Sequence, residues 1–125
     1  MIILYYKTGH DSCWGARQWF KDHDINPIER KIEYILREDL IHALSLTENG
    51  LTDLLKCPSR SMPQMLALLS SIKIMKFEDS INFILEHPNV LRTPIIIDEK
   101  KLVVGYNSER MRIFLSRKYR TLQFL

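Results

Sequence analysis

Leu4-Tyr5-Tyr6-Lys7-Thr8-Gly9-His10-Asp11-Ser12-Cys13-Trp14-Gly15-Ala16-Arg17 joins a strand to a helix through a short glycine loop and sets the plan of the chain. The run from Ile2 to Tyr6 is β-rich and almost free of turn residues, which suits a central strand buried on both faces. A glycine-containing loop follows, and a helix opens near Cys13 with Asp11 or Ser12 as its expected cap. A thiol at that place meets the unpaired N–H groups and positive dipole end of a helix, which stabilise a thiolate. His10 stands three residues earlier, where a second cysteine would have made a redox pair.

Cys13, Ala16 and Phe20 recur at helical spacing, and Lys21, Asp22 and Asp24 end that helix in polar sequence. Gly15 inside it costs about 1 kcal/mol of helix propensity, so a close approach by packing or by a partner is expected there. Pro27 opens a short strand from Ile28 to Ile32, completing a right-handed βαβ unit. An all-helical insert over about residues 36–90 comes next. Leu40, Ile41, Leu44 and Leu46 form its first apolar stretch, expected to stop at Asn49-Gly50 with Gly50 as the left-handed helix end. A short helix over Leu51 to Lys56 is broken by Pro58. Ser61 is expected to cap the next helix, whose buried face is Met65, Leu66, Leu68 and Leu69. A helix from Phe77 to Glu86 ends before Pro88. Strand character returns in Thr93 to Ile97, turns at Asp98-Glu99-Lys100 and runs back through Leu102 to Val104 as a hairpin. Asn107 or Ser108 then caps a last helix carrying Met111, Phe114 and Leu115.

The sum is an α/β chain, β-α-β and β-β-α around a helical insert, read as a single domain over residues 1–125. Two cysteines do not make a disulfide framework and suit a reducing compartment, and no apolar run approaches the ~18–20 residues of a membrane span, so a cytoplasmic protein with no membrane partner is expected. The net charge is +3, with Lys100, Lys101, Arg110, Arg112, Arg117, Lys118 and Arg120 crowding the last quarter. Such a basic end suits an acidic protein or nucleic acid, or is simply a solvated face. The aromatic residues do not alternate with these cations in the manner of a single-strand stacking surface, which argues against direct base recognition.

Leu4-Tyr5, Cys13, Ala16-Arg17, Thr47-Glu48-Asn49-Gly50, Ser59-Arg60-Ser61, Glu86-His87-Pro88, Leu91-Arg92, Pro94 to Lys100 and Val104-Gly105-Tyr106-Asn107 resemble, in order and spacing, the Spx regulators of the thioredoxin-like arsenate reductase family. The resemblance implies a thioredoxin-like fold with a cis peptide at Thr93-Pro94. It implies a transcriptional regulator that docks on the C-terminal domain of the RNA polymerase α subunit, touching DNA only together with polymerase. Its docking surface is expected around His10, Ser12 and Gly50. Arg92 is expected to approach the cysteine loop, and Arg60 to match an arginine of the arsenate clamp, so both are read as loop-stabilising or anion-holding. The protease ClpXP is a further implied partner, less readily recognised on a chain ending at Leu125.

Three departures bear on the chemistry. His10 replaces the first cysteine of the family's CxxC switch, Ser45 replaces a basic residue that precedes the glycine, and Thr93 and Val104-Gly105-Tyr106 stand where further clamp arginines belong. Arsenate reduction needs a thiolate nucleophile and arginines around the oxyanion. Its nucleophile position is His10, so the enzymatic reading is set aside as the lesser one. An alternative remains in a monothiol oxidoreductase that uses Cys13, the candidate thiol, with glutathione or a similar thiol. Against it stands the reading of Cys13 as a small buried residue. Cys57, a lone cysteine beside Pro58, is expected to be buried. His10 and Cys13 do not make a tetrahedral metal site, and neither His23 nor Cys57 completes one, so no metal and no cofactor are expected.

Overall fold

A computed structural model describes residues 1–116. Strand β1 (Ile3–Tyr6) leads through helix α1 (Asp11–Asp22) to β2 (Ile28–Lys31). Helices α2 (Arg37–Ser45), α3 (Pro63–Lys73) and α4 (Phe77–Glu86) form the insert. The hairpin of β3 (Ile95–Ile97) and β4 (Leu102–Val104) follows, then the short helix α5 (Ser108–Met111). The sheet order is β2-β1-β3-β4, with β1 parallel to β2 and antiparallel to β3, so the opening strand is central as its composition predicts.

Register makes the layers. Leu4, Ile96 and Val103 are cross-strand neighbours. All three face Ala16, Trp19 and Phe20 of α1, together with Met111, Phe114 and Leu115. One residue along, Tyr5, Ile95 and Ile97 point to the other side and join Leu40, Leu54, Leu69, Ile72, Ile81 and Ile84. The period-two alternation of a strand thus feeds two separate apolar clusters. Gly15 explains itself here, since a Cβ on it would lie 3.0 Å from Cδ2 of Tyr106. Tyr5 is fully buried, yet its hydroxyl donates to Asp39 and accepts the N–H of Leu36 at 3.3 Å. Arg30 pairs with Asp39 at 3.2 Å. Burial, then the bond to Asp39, raises the Tyr5 phenol above its usual range. The central strand thereby fixes the start of α2.

Several local expectations fail at chain turns. His10, not Asp11 or Ser12, is the residue before α1, and no side chain caps that helix. Helix α2 ends at Ser45, before Gly50, because the N–H groups of Leu46 and Thr47 tighten onto the carbonyls of Ala43 and Leu44 at 3.0 and 3.2 Å, closing the helix well short of the left-handed turn. Gly50 does have φ +72°, but it starts a 3₁₀ turn, Gly50–Asp53, which replaces the helix expected over Leu51 to Lys56. Met62 precedes α3, while the Ser61 hydroxyl donates to the Cys57 carbonyl at 2.8 Å. The buried residues of α3 are Leu69 and Ile72, and Leu66 is exposed. Strand β2 stops at Lys31, and Ile32 begins a 3₁₀ turn. Asn107 does cap α5, accepting from Glu109 N at 2.9 Å and Arg110 N at 3.2 Å. The basic residues Arg117, Lys118 and Arg120 lie outside the described residues.

Candidate functional site

The predicted site residues fall into two groups. At the first, the chain turns through Gly9, with φ +77°, and enters α1 at His10, whose carbonyl receives the N–H of Trp14 at 3.1 Å. Cys13 is 1% exposed. Its Sγ accepts the backbone N–H of Lys7 at 3.3 Å and lies 3.5 Å from Nδ1 of the exposed His10 imidazole. Ser12 is half-buried beside it and Trp14 is exposed. The thiol sits at a helix start, as the sequence reading requires, but it faces inward with Ala16, Trp19 and Phe20.

The second group is built on the strap from Gly50 to Arg60. Asp53 organises its turn by accepting the N–H groups of Glu48 at 3.1 Å and Asn49 at 3.0 Å, with Asn49 Nδ2 at 3.3 Å from its other oxygen. An acid reaching back in this way satisfies N–H groups that the entry to a helical turn leaves without a backbone partner. These bonds, the Asn49 N–H first, hold the Asp53 carboxyl below the usual carboxylate range. Farther along, Leu55 bridges to Leu91, flanked by Lys56 N to Val90 O at 2.9 Å and Arg92 N to Leu54 O at 2.8 Å. Arg92 also donates through Nε to the Leu55 carbonyl at 2.7 Å, and its charge contributes to the lowering at Asp53. Arg92 therefore ties the Gly50 strap to the segment before β3, where the expectation had it approaching the cysteine loop. The Thr93–Pro94 peptide that follows is cis. Ser45 is exposed and donates to His42 O at 2.6 Å.

Cys57 corrects another expectation, because it is half-exposed. The 3₁₀ turn Pro58–Arg60 folds Ser59 back to place its Oγ 3.0 Å from Sγ. That hydrogen bond first, then the Ser59 backbone and the positive charge of Arg60, pulls the thiol below its ordinary value. Arg60 is exposed and acts on Cys57. Sequence reasoning missed the roles of Asp53 and Ser59. The run Asn49-Gly50-Leu51-Thr52-Asp53 carried the signal for the first of them, an acid one turn beyond an Asn-Gly pair. Both cysteines are free, and among the described residues no three His, Cys, Asp or Glu side chains gather as metal ligands. Among the same residues no helix is long and apolar enough to cross a membrane.

Residues 5–114 match the profile of the ArsC family. This chain belongs to the ArsC family. It is 38% identical to the global transcriptional regulator Spx of Bacillus subtilis, over 98% of this chain and 93% of that one. It is 36% identical to that of Listeria innocua, with the same shares covered. Solved structures of the ArsC family share the fold at low identity. One is a putative ArsC family related protein from Bacteroides fragilis, with TM-score 0.71 and 18% identity, covering 97% of this chain and 96% of that one. Another is the arsenate reductase from Vibrio cholerae, with TM-score 0.66 and 15% identity, covering 91% and 97%.

Proposed function

We propose that this protein is a cytoplasmic transcriptional regulator that binds the C-terminal domain of the RNA polymerase α subunit and works without a disulfide switch in its first loop. The observation that carries the reading is likeness to global transcriptional regulators along nearly the whole chain. The surface around Gly50 is the proposed contact, with His10 and Ser12 contributing. Gly50 is half-exposed, and nothing lies within 4 Å of where its Cβ would be, so its backbone is open to a partner. With His10 in place of a cysteine, activity follows the amount of protein and is insensitive to oxidation of that loop. Catalysis by Cys13 finds little support in a residue that is 1% exposed.

Calorimetry with the isolated α-subunit domain tests the reading. Micromolar or tighter binding, unchanged by oxidant and abolished by Gly50→Arg, is the expected result. No binding under either redox condition overturns it, and a loss of binding in Cys13→Ser with its fold intact would favour the thiol-dependent alternative.

A further inference from the structure

A cavity of about 610 Å³ opens beside Gly50, between α2, α3, α4 and the strap. That volume lies within the roughly 300–1,000 Å³ of small-molecule sites. Its walls are largely aliphatic and aromatic, with Leu51, Leu55, Leu69, Ile72, Met75 and Phe77 among them. The charged lining is of one sign. Lys56, Lys73 and Arg92 are among its lining residues and no Asp or Glu is, while Lys56 also borders the adjoining pocket of Lys7, Glu33 and Glu86. Lys56 is half-buried, and its ammonium makes no hydrogen bond or ion pair among the described residues. Burial first, then the like charge of Lys7, pulls that ammonium below the usual lysine range. A half-buried cation without a counter-ion carries a desolvation cost that an anion seated beside it relieves.

We propose that this cavity binds a small free carboxylate with an apolar body, of the medium-chain acyl kind, its chain against the α3 and α4 wall and its head at Lys56 and Lys73. The apolar wall selects for the body and the unopposed cations select for the head. Neutral or cationic amphiphiles of the same length lack half of the match. An occupied cavity also alters the surface at Gly50, so a ligand there would compete with or remodel a partner; that consequence alone rests on the regulator reading.

Decanoate is the probe, titrated into the whole protein by calorimetry below its micellar range, with alkylation of Cys57 followed in parallel because that thiol lines the same space. Saturable binding with a dissociation constant below about 1 mM, slower alkylation of Cys57, and binding by decanol and decyltrimethylammonium weaker by about tenfold or more are expected. Lys56→Met should weaken decanoate by about tenfold while Lys56→Arg retains it, and Lys73→Met gives a second reading from an exposed position. The site is overturned if decanoate does not saturate, if decanol binds as well, or if both methionine variants bind it unchanged. A protein that takes decanoate yet ignores the polymerase domain loses the regulator reading and keeps the site. One that binds polymerase and not decanoate does the reverse.

Discussion

Cys13 and Cys57 occupy opposite kinds of environment, and the contrast shows that position in a helix and chemical availability are separate properties. Cys13 has the helix-start position that favours a thiolate, but its sulfur is turned inward and held by the Lys7 N–H. Cys57 has no helix behind it. A three-residue turn brings Ser59 to its sulfur and Arg60 near it, in a half-exposed place. The α1 end keeps the form of a thiol site, while the strap holds the thiol that solvent reaches.

The largest effect that can break this contrast is in alkylation rate. In the native protein iodoacetamide should modify Cys57 at least about a hundredfold faster than Cys13, since reaching a buried sulfur requires an opening of roughly 3 kcal/mol or more. The difference should vanish in denaturant. Because the Cys57 thiol is lowered, a larger fraction is thiolate at neutral pH, and its rate should reach half-maximum below the pH of an ordinary thiol. Ser59→Ala should move that midpoint upward. Peptide mapping after timed alkylation reads all three, and equal native rates would erase the distinction.

Substitution gives the next effect. Cys13→Ser puts a hydroxyl into a site 1% exposed, and should cost about 1–3 kcal/mol by urea denaturation. Cys57→Ser should stay within about 0.5 kcal/mol. A large loss at Cys57 with none at Cys13 would reverse the assignment of buried and available thiols.

The sheet was legible because its alternation is a local pattern with a global consequence. Leu4 and Tyr5 can only point to opposite faces, and their clusters follow. The helical insert was legible in its three helices and much less so between them. The turns Gly50–Asp53 and Pro58–Arg60 are set by single side chains, Asp53 and Ser59, reaching back over two to five residues, and no periodicity announces that. The same holds for the site. The spacing from His10 to Cys13 was readable, whereas the inward turn of the thiol depends on how α1 rolls onto β1 and β3. That Arg92 serves Leu55 depends on a bridge between segments 36 residues apart, Leu55 and Leu91.

The strap itself can be probed at Gly50. Its φ of +72° lies in the left-handed region and its Cβ position is open, so Gly50→Ala should cost about 1 kcal/mol from backbone strain alone. Gly50→Arg should cost a similar amount in stability, and any additional loss in partner affinity belongs to the surface. Comparing the two by denaturation and by calorimetry separates fold from docking. Equal losses of affinity in both variants would mean that the turn's shape, and not the space above it, is what a partner reads.

The smallest expected effect is the pH response of the same turn, and its sign follows from the carboxylate. The native Asp53 carboxyl titrates below its unfolded counterpart, so its contribution is fully present above the unfolded value and is lost as pH falls through the native one. An unfolded aspartate titrates near ~3.9, so the loosening should set in only below about pH 4. The reporters are the amide protons of Glu48 and Asn49, which Asp53 accepts directly. Their protection, taken relative to the intrinsic exchange rate at each pH, should fall on acidification while amides of β1 and β3 stay protected, and Asp53→Asn should flatten the response. Cys57 alkylation should keep its midpoint in that variant, because Asp53 does not contribute to the lowering of its thiol. A midpoint that moved with Asp53 would mean that the Gly50 turn and the Cys57 turn behave as one unit, and the strap would then be a single element with its thiol and its proposed contact surface coupled.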